Sequence, residues 1–322
     1  MLGFFLAGVL SIALTALLSG LIRRAGAYSL PELLYRMGSG WGKLCDAVLL
    51  TVLFLGAAST LLGFSYFLAL TVYPGRSMLL YLAAMAGCAA YGAYKGIEGL
   101  ARFAFAVSLL VLLAVGAVVL VLLPEVEPVY FTPPLAGGAQ PAMQSFFQAL
   151  LYNLEIPVFL VFQGNIRGRS SGSFARGMLL SMSVYQLVVF FTAVTLGPFA
   201  RLQRFPIYAM IASAQFSVLR RLDMVHLTLW IVLAFLRCCV YLYCAAGCLQ
   251  RLLPPRQEQS RGKIALVLGA SVFGMAVFLQ QNLVRSTAVW QFLGTGIPLF
   301  LVVLMTAGTA AGVVWKQGGQ AE

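Results

Sequence analysis

Apolar residues in this chain run in long stretches, separated by short segments where glycine, proline and cations collect. A helix rises ~1.5 Å per residue, so ~20 apolar residues cross a hydrocarbon core ~30 Å thick. By that measure the pattern predicts about nine spans: Leu2 to Ile22, Ala47 to Tyr73, Ser77 to Tyr94, Phe103 to Leu123, Phe146 to Gln163, Ala175 to Pro198, His226 to Gln250, Ile264 to Gln281 and Val289 to Val314. A peptide group in lipid has no water to bond, so each must find its partner inside its own segment, which selects helices. Barrel strands would be ~10 residues of alternating polarity. The prediction is an all-α polytopic membrane helix bundle, with residues 1–322 as a single membrane domain.

Two connecting segments carry more pattern than ordinary loops. Ser29 to Asp46 mixes apolar residues with Glu32, Arg36 and Lys43 and predicts a short interfacial helix followed by a glycine turn. Pro206 to Asp223 places Ile207, Met210, Ile211, Ala214 and Val218 at helical spacing, with Pro206 in the first turn, and predicts a helix along the outer surface. Pro124 to Pro141 holds too many breakers for a helix and reads as an external loop.

Composition sharpens this picture. The 322 residues are 61% hydrophobic and only 9% charged, against roughly a quarter charged in soluble domains. The net charge of +12 does not mark a nucleic-acid partner, because the cations are scattered between apolar runs. Arg23, Arg24, Arg36, Lys43, Lys95, Arg102, Arg167, Arg169, Arg176, Arg251, Arg256, Arg261, Lys263 and Lys316 fall on one side of the predicted bundle, and Arg76, Arg201, Arg204, Arg220, Arg221 and Arg285 on the other. The richer side is expected to be cytoplasmic. Cys45, Cys88, Cys238, Cys239, Cys244 and Cys248 lie in or beside apolar runs without zinc-ligand spacing and read as small buried hydrophobes. No cofactor, metal or enzyme motif is present, and enzyme function is disfavoured.

Ionisable residues inside a span are costly, so each is a functional hypothesis by default. Glu155 in the fifth span and Arg237 in the seventh qualify. Pro157 cannot donate a backbone hydrogen bond, and its ring crowds the carbonyl of Asn153. The helix is therefore expected to kink or unwind around Asn153, Leu154 and Glu155, as transporter helices do at their ligand sites. The alternative is a proline kink with a structural Glu155 to Arg237 pair. Ser59 and Thr60 are further cavity candidates, although such hydroxyls commonly bond their own helix. Glu98 is flanked by Lys95 and Arg102 at ion-pair spacing, Asp223 is placed to cap the helix that carries His226, and Gly308 with Gly312 permits close helix contact.

The sequence resembles the B subunits of GerA-type spore germinant receptors, within the amino acid/polyamine/organocation transporter superfamily. The similarity rests on Leu30-Pro31-Glu32-Leu33 with Gly40-Trp41-Gly42-Lys43, on Tyr94-Lys95-Gly96-Ile97-Glu98 with Ala101-Arg102, and on Leu123-Pro124-Glu125. Phe205-Pro206, Arg221-Leu222-Asp223 and Tyr241-Leu242-Tyr243 continue it in order. The resemblance implies a LeuT-like fold of ten helices in two inverted repeats, with the fifth span here matching the broken sixth helix and Arg237 a basic position of the eighth. On that mapping about nine of ten helices are present and the first is lacking. The arginine pair after the first span, with no charge before it, favours a start codon assigned too late over a degenerate paralogue.

What the resemblance implies about function is the sensing of a small nutrient, often an amino acid, in the spore inner membrane, in a complex with A and C subunits. An active amino-acid or cation permease is the alternative, and a structural subunit is the third reading.

Overall fold

The computed structural model describes residues 2–72, 77–130, 138–166, 170–213, 222–254 and 260–318. Its helices, in chain order, are α1 (Leu2–Arg24), α2 (Leu30–Met37), α3 (Ser39–Thr71), α4 (Met78–Lys95), α5 (Ile97–Leu122), α6 (Ala139–Leu151) and α7 (Glu155–Phe162). They continue as α8 (Ser170–Leu196), α9 (Pro206–Ser213), α10 (Leu222–Leu252), α11 (Arg261–Gln280), α12 (Leu283–Gly294) and α13 (Ile297–Gly318). Among the described residues there is no strand, and eight segments are long and apolar enough to cross a membrane. The fold is the all-α polytopic bundle that the apolar runs predict. The remaining predicted span, Ser77 to Tyr94, forms the 18-residue α4, which ends in Lys95 and is not among those eight.

The chain divides into two compact units. One comprises residues 1–10, 102–150 and 175–233. Its core is Val121, Leu122, Phe191, Met210 and Ile211, contributed by α5, α8 and α9. Gly3 lies against the backbone of Ala142 and Gly8 against the side chain of Met182, where any larger residue would collide. The Pro206 helix ends at Ser213, and residues 214–221 fall outside the described residues. In the predicted loop, residues 123–125 and 128–130 form short 3-10 turns, and 131–137 lie outside the described residues.

The other unit comprises residues 11–101, 151–174 and 234–322. Here α11 packs along α4 and α3, and α2 packs on α3 and α13. Two predicted boundaries move. The predicted glycine turn is Gly38, at φ +152°, and helix α3 starts directly behind it at Ser39, ahead of Ala47; Gly42, inside α3, gives the Tyr35 ring room against the backbone. The predicted run Val289 to Val314 is two helices, α12 and α13, separated at Thr295 and Gly296; Gly296 takes φ +79°, and its neighbour in space is Leu151.

The corner between α1 and α2 shows what the Leu30-Pro31-Glu32-Leu33 motif does physically. Gly26, at φ +75°, ends α1, with Ala27 N–H bonding the Ile22 carbonyl and Gly26 N–H the Arg23 carbonyl. The Arg36 guanidinium donates to the Ala25 and Gly26 carbonyls and to Glu32, while Glu32 accepts from the Tyr28 amide. Leu30, Leu33 and Leu34 are fully buried beneath this clamp.

The Tyr28 amide, opposed by burial and aided by Arg36, holds the Glu32 carboxyl below its ordinary value of 4.5. A carboxyl lowered on folding contributes stability that is complete above its unfolded pKa and lost as pH falls through the folded value. The corner should therefore loosen only in acid, below about pH 4.5. The protection of the Tyr28 to Leu34 amides, taken relative to their intrinsic exchange rate at each pH, will fall there, and Glu32→Gln will show the lower protection already at neutral pH, without further acid dependence. Unchanged exchange in Glu32→Gln would exclude the clamp.

Candidate functional site

The chain leaves helical geometry at Tyr152, Asn153 and Leu154 and re-enters it at Glu155. Pro157 then falls in the first turn of α7, where its missing N–H costs nothing because the first turn has no intrahelical acceptors to offer. Asn153 builds the break. Its Oδ1 accepts from the Glu155 amide at 3.2 Å and its Nδ2 donates to Ser11 Oγ at 2.9 Å, while Leu154 N–H bonds the Tyr152 carbonyl. Asn153 and Leu154 are both buried.

Glu155 emerges from the break and pairs with Arg237 of α10, Oε1 to Nη2 at 3.0 Å. Arg237 Nε donates to the Tyr241 hydroxyl at 2.8 Å, and its guanidinium lies 5.5 Å from the Tyr241 ring centroid. One helical turn separates Arg237 from Tyr241, so the same face of α10 supplies the charge and the group that orients it. Gly56 of α3 lets Tyr241 and Leu154 approach closely. Glu155 and Arg237 still leave 50% and 46% of their side-chain surfaces open. A charge pair in a span cannot present half its surface to hydrocarbon, so this opening marks a place for water, solute or polar protein.

Ser59 and Thr60 both donate to the Gly56 carbonyl, at 2.9 and 2.8 Å. Their hydroxyls are engaged by their own helix, beside the glycine that makes room for Tyr241.

A polar stripe on α1 completes the surroundings. Ser11, Thr15 and Ser19, spaced by four, are all buried. Ser11 meets Asn153, Thr15 donates to the Ser11 carbonyl, and Ser19 donates to Gln163 Oε1 at 2.9 Å. Gln163 is itself buried, just beyond α7, and its Nε2 has no hydrogen-bond partner. The i, i+4, i+8 spacing of the hydroxyls was the signal for this stripe in the sequence.

A second charge pair was not anticipated. Asp46 of α3, fully buried, accepts from Arg251 Nε and Nη2 at 2.8 and 2.7 Å, a two-pronged bond at the cation-rich end of α10. Tyr35 donates to the Arg251 carbonyl at 3.4 Å, and burial, reinforced by the Asp46 charge, pushes its phenol up to about 12. It remains a donor at any physiological pH.

The other candidates fall elsewhere. His226 lies in α10 beside the Tyr208 ring and lines an apolar groove with Trp230. The Asp223 side chain is outside the described residues. Lys95 lies over the Tyr91 ring at the end of α4, and Gly96, at φ +90°, separates it from Glu98 on α5. Gly312 touches Met37, while Gly308 faces open space. Five cysteines are buried; Cys88 is exposed on α4, a correction to the reading of all six as buried. Among the described residues, no group of three His, Cys, Asp or Glu could hold a metal.

These features define an integral membrane protein of receptor or transporter type, with a polar break in one span. Residues 2–286 match the family described as Spore germination protein, and the chain belongs to that family. This is the family of GerA-type B subunits, as the sequence motifs implied. No curated protein matches the chain.

Proposed function

We propose that this protein is a membrane subunit of a germination receptor, that it senses a small nutrient at the broken span, and that it works with A and C subunits in the spore inner membrane. The observation that carries this reading is the half-open Glu155 to Arg237 pair beside an unwound segment. An amino acid brings a carboxylate and an ammonium on one carbon, the complement of Arg237 and Glu155. Such a zwitterion replaces one salt bridge by two and so favours whichever arrangement of the helices separates the pair. A ligand shifts such an equilibrium only by its difference in affinity for the two states.

The test is germination of spores that carry Glu155→Gln at the native locus. Gln keeps the shape and removes the charge, so the loss of a charged hydrogen bond should raise the half-effective nutrient concentration by about tenfold or more. The protein should still reach the membrane at normal abundance. Unchanged nutrient sensitivity would reject the site.

The permease reading has one observation of its own, the polar stripe from Ser11 to Gln163 that leads away from the break. Nutrient uptake by proteoliposomes, driven by a proton gradient and lost in Glu155→Gln, would favour it.

A further inference from the structure

A small cavity of about 120 Å³ lies where the ends of several elements of one unit meet. Its polar lining comes from Ser29 at the start of α2, Asn165 beyond α7, Tyr243 and Arg251 of α10, and Arg261 at the start of α11. Among the described residues no carboxylate lines it. Arg251 is already neutralised by Asp46 through both prongs of its fork. Arg261 is not: its bonds are to the Tyr243 hydroxyl, at 2.7 Å, and to the Tyr243 ring face, 4.9 Å from the centroid. Both are neutral partners, and Tyr243 occupies one edge of the guanidinium fork only. Among the described residues, the Ser29 hydroxyl and the Asn165 amide make no hydrogen bond.

Among the described residues the cavity thus gathers one guanidinium without an acidic partner and two polar side chains, Ser29 half-buried and Asn165 exposed, whose hydrogen-bonding groups are open to a ligand. Its position at the ends of α10 and α11 with Arg251, Arg261 and Lys263 places it on the side expected to be cytoplasmic. Its volume is far below the roughly 300–1,000 Å³ of a drug-sized ligand site, which excludes a nucleotide or a sugar phosphate held whole. Gly247 lies beside the Arg261 guanidinium, where a Cβ would make an ordinary contact at 3.4 Å.

We infer that this cavity is a binding site for one phosphate-type oxyanion, held by Arg261 with Ser29 and Asn165. The guanidinium fork matches the spacing of two phosphate oxygens, and the hydroxyl and amide supply donors for a third. Such an oxyanion reaches the site either as free phosphate or as the headgroup of an anionic lipid, for which basic pockets between membrane helices are established receptors.

The test uses the full chain in nanodiscs of phosphatidylcholine alone. In one arm inorganic phosphate is titrated against chloride at matched ionic strength; in the other, phosphatidylglycerol replaces part of the lipid. Occupancy raises the melting temperature, because the folded state alone binds. Arg261→Gln should weaken the apparent affinity about 10- to 100-fold, as expected for losing a charged hydrogen-bond donor, and Arg261→Lys should recover part of it. The double variant Ser29→Ala, Asn165→Ala leaves the Tyr243 bond intact and guards against a folding defect in Arg261→Gln; it too should weaken binding. Lys43→Gln, an exposed cation elsewhere, should leave it unchanged.

A response to phosphate in the first arm assigns the free ion, and a response only to phosphatidylglycerol assigns the headgroup. No stabilisation in either arm, or stabilisation that Arg261→Gln and the double variant both leave intact, overturns the inference.

Discussion

Asp46→Ala will destabilise the folded protein severely. Asp46 is fully buried, and its two oxygens take both prongs of the Arg251 fork at 2.8 and 2.7 Å. Removing the acid leaves a largely buried guanidinium with the Cys248 sulfur, 3.4 Å away, as its remaining neighbour. Breaking a buried pair from one side costs about 3–5 kcal/mol, a large share of the roughly 5–15 kcal/mol that holds an ordinary domain together. Asp46→Asn should fall between, since it keeps one acceptor and loses the charge. The double variant Asp46→Leu, Arg251→Met removes both charges and should recover much of the loss, because two apolar residues of similar size leave nothing unpaired. Melting temperatures of the purified variants in detergent measure all three. Wild-type stability in Asp46→Ala would show that the pair holds nothing in place.

Exchanging the charges of the other pair will separate a ligand site from a structural lock. Glu155→Arg alone sets two guanidinium groups side by side within a span, and this variant should be lost from the membrane, because the like charges repel at ion-pair distance and neither has an acid left to pair with. Glu155→Arg combined with Arg237→Glu restores the attraction with the charges reversed, and the protein should return to the membrane at near-normal abundance. Nutrient response should not return, since a zwitterion oriented by its own handed carbon now meets each charge on the wrong helix. Abundance by immunoblot and germination by the fall in optical density of a spore suspension give the two readouts. Full nutrient sensitivity in the exchanged protein would identify the pair as a lock and nothing more.

How much of this was visible beforehand depends on whether the signal was local. The break at Tyr152 to Leu154 could be read because Asn153, Glu155 and Pro157 crowd into five residues of an otherwise apolar run, and each disfavours a continuous helix for its own reason. The charged pair followed from scarcity, since Glu155 and Arg237 are the ionisable residues farthest from any span end. Asn153's partner could not be read that way. A serine in an apolar helix ordinarily bonds its own backbone, as Ser59 and Thr60 do here, and nothing near Ser11 distinguishes it except the repeat to Thr15 and Ser19.

The pair of Asp46 and Arg251 was hidden for a different reason. Both residues sit at span ends, where charge is cheap, and only the packing of α3 on α10 makes Asp46 buried. The separation of α12 from α13 was masked by apolar residues on both sides of Gly296, so hydropathy alone joined them.

The hydroxyl stripe on α1 has one more consequence. Ser11 holds Asn153, two residues ahead of α7, and Ser19 holds Gln163, directly behind it, so a single rigid rod grips this eight-residue half-helix at both ends. Tilting α7 therefore requires either that both grips let go together or that the rod swings with it. In the second case α1 is the lever, and its Arg24 end, about 20 Å along the rod from Ser11, moves with the half-helix that a bound solute tilts.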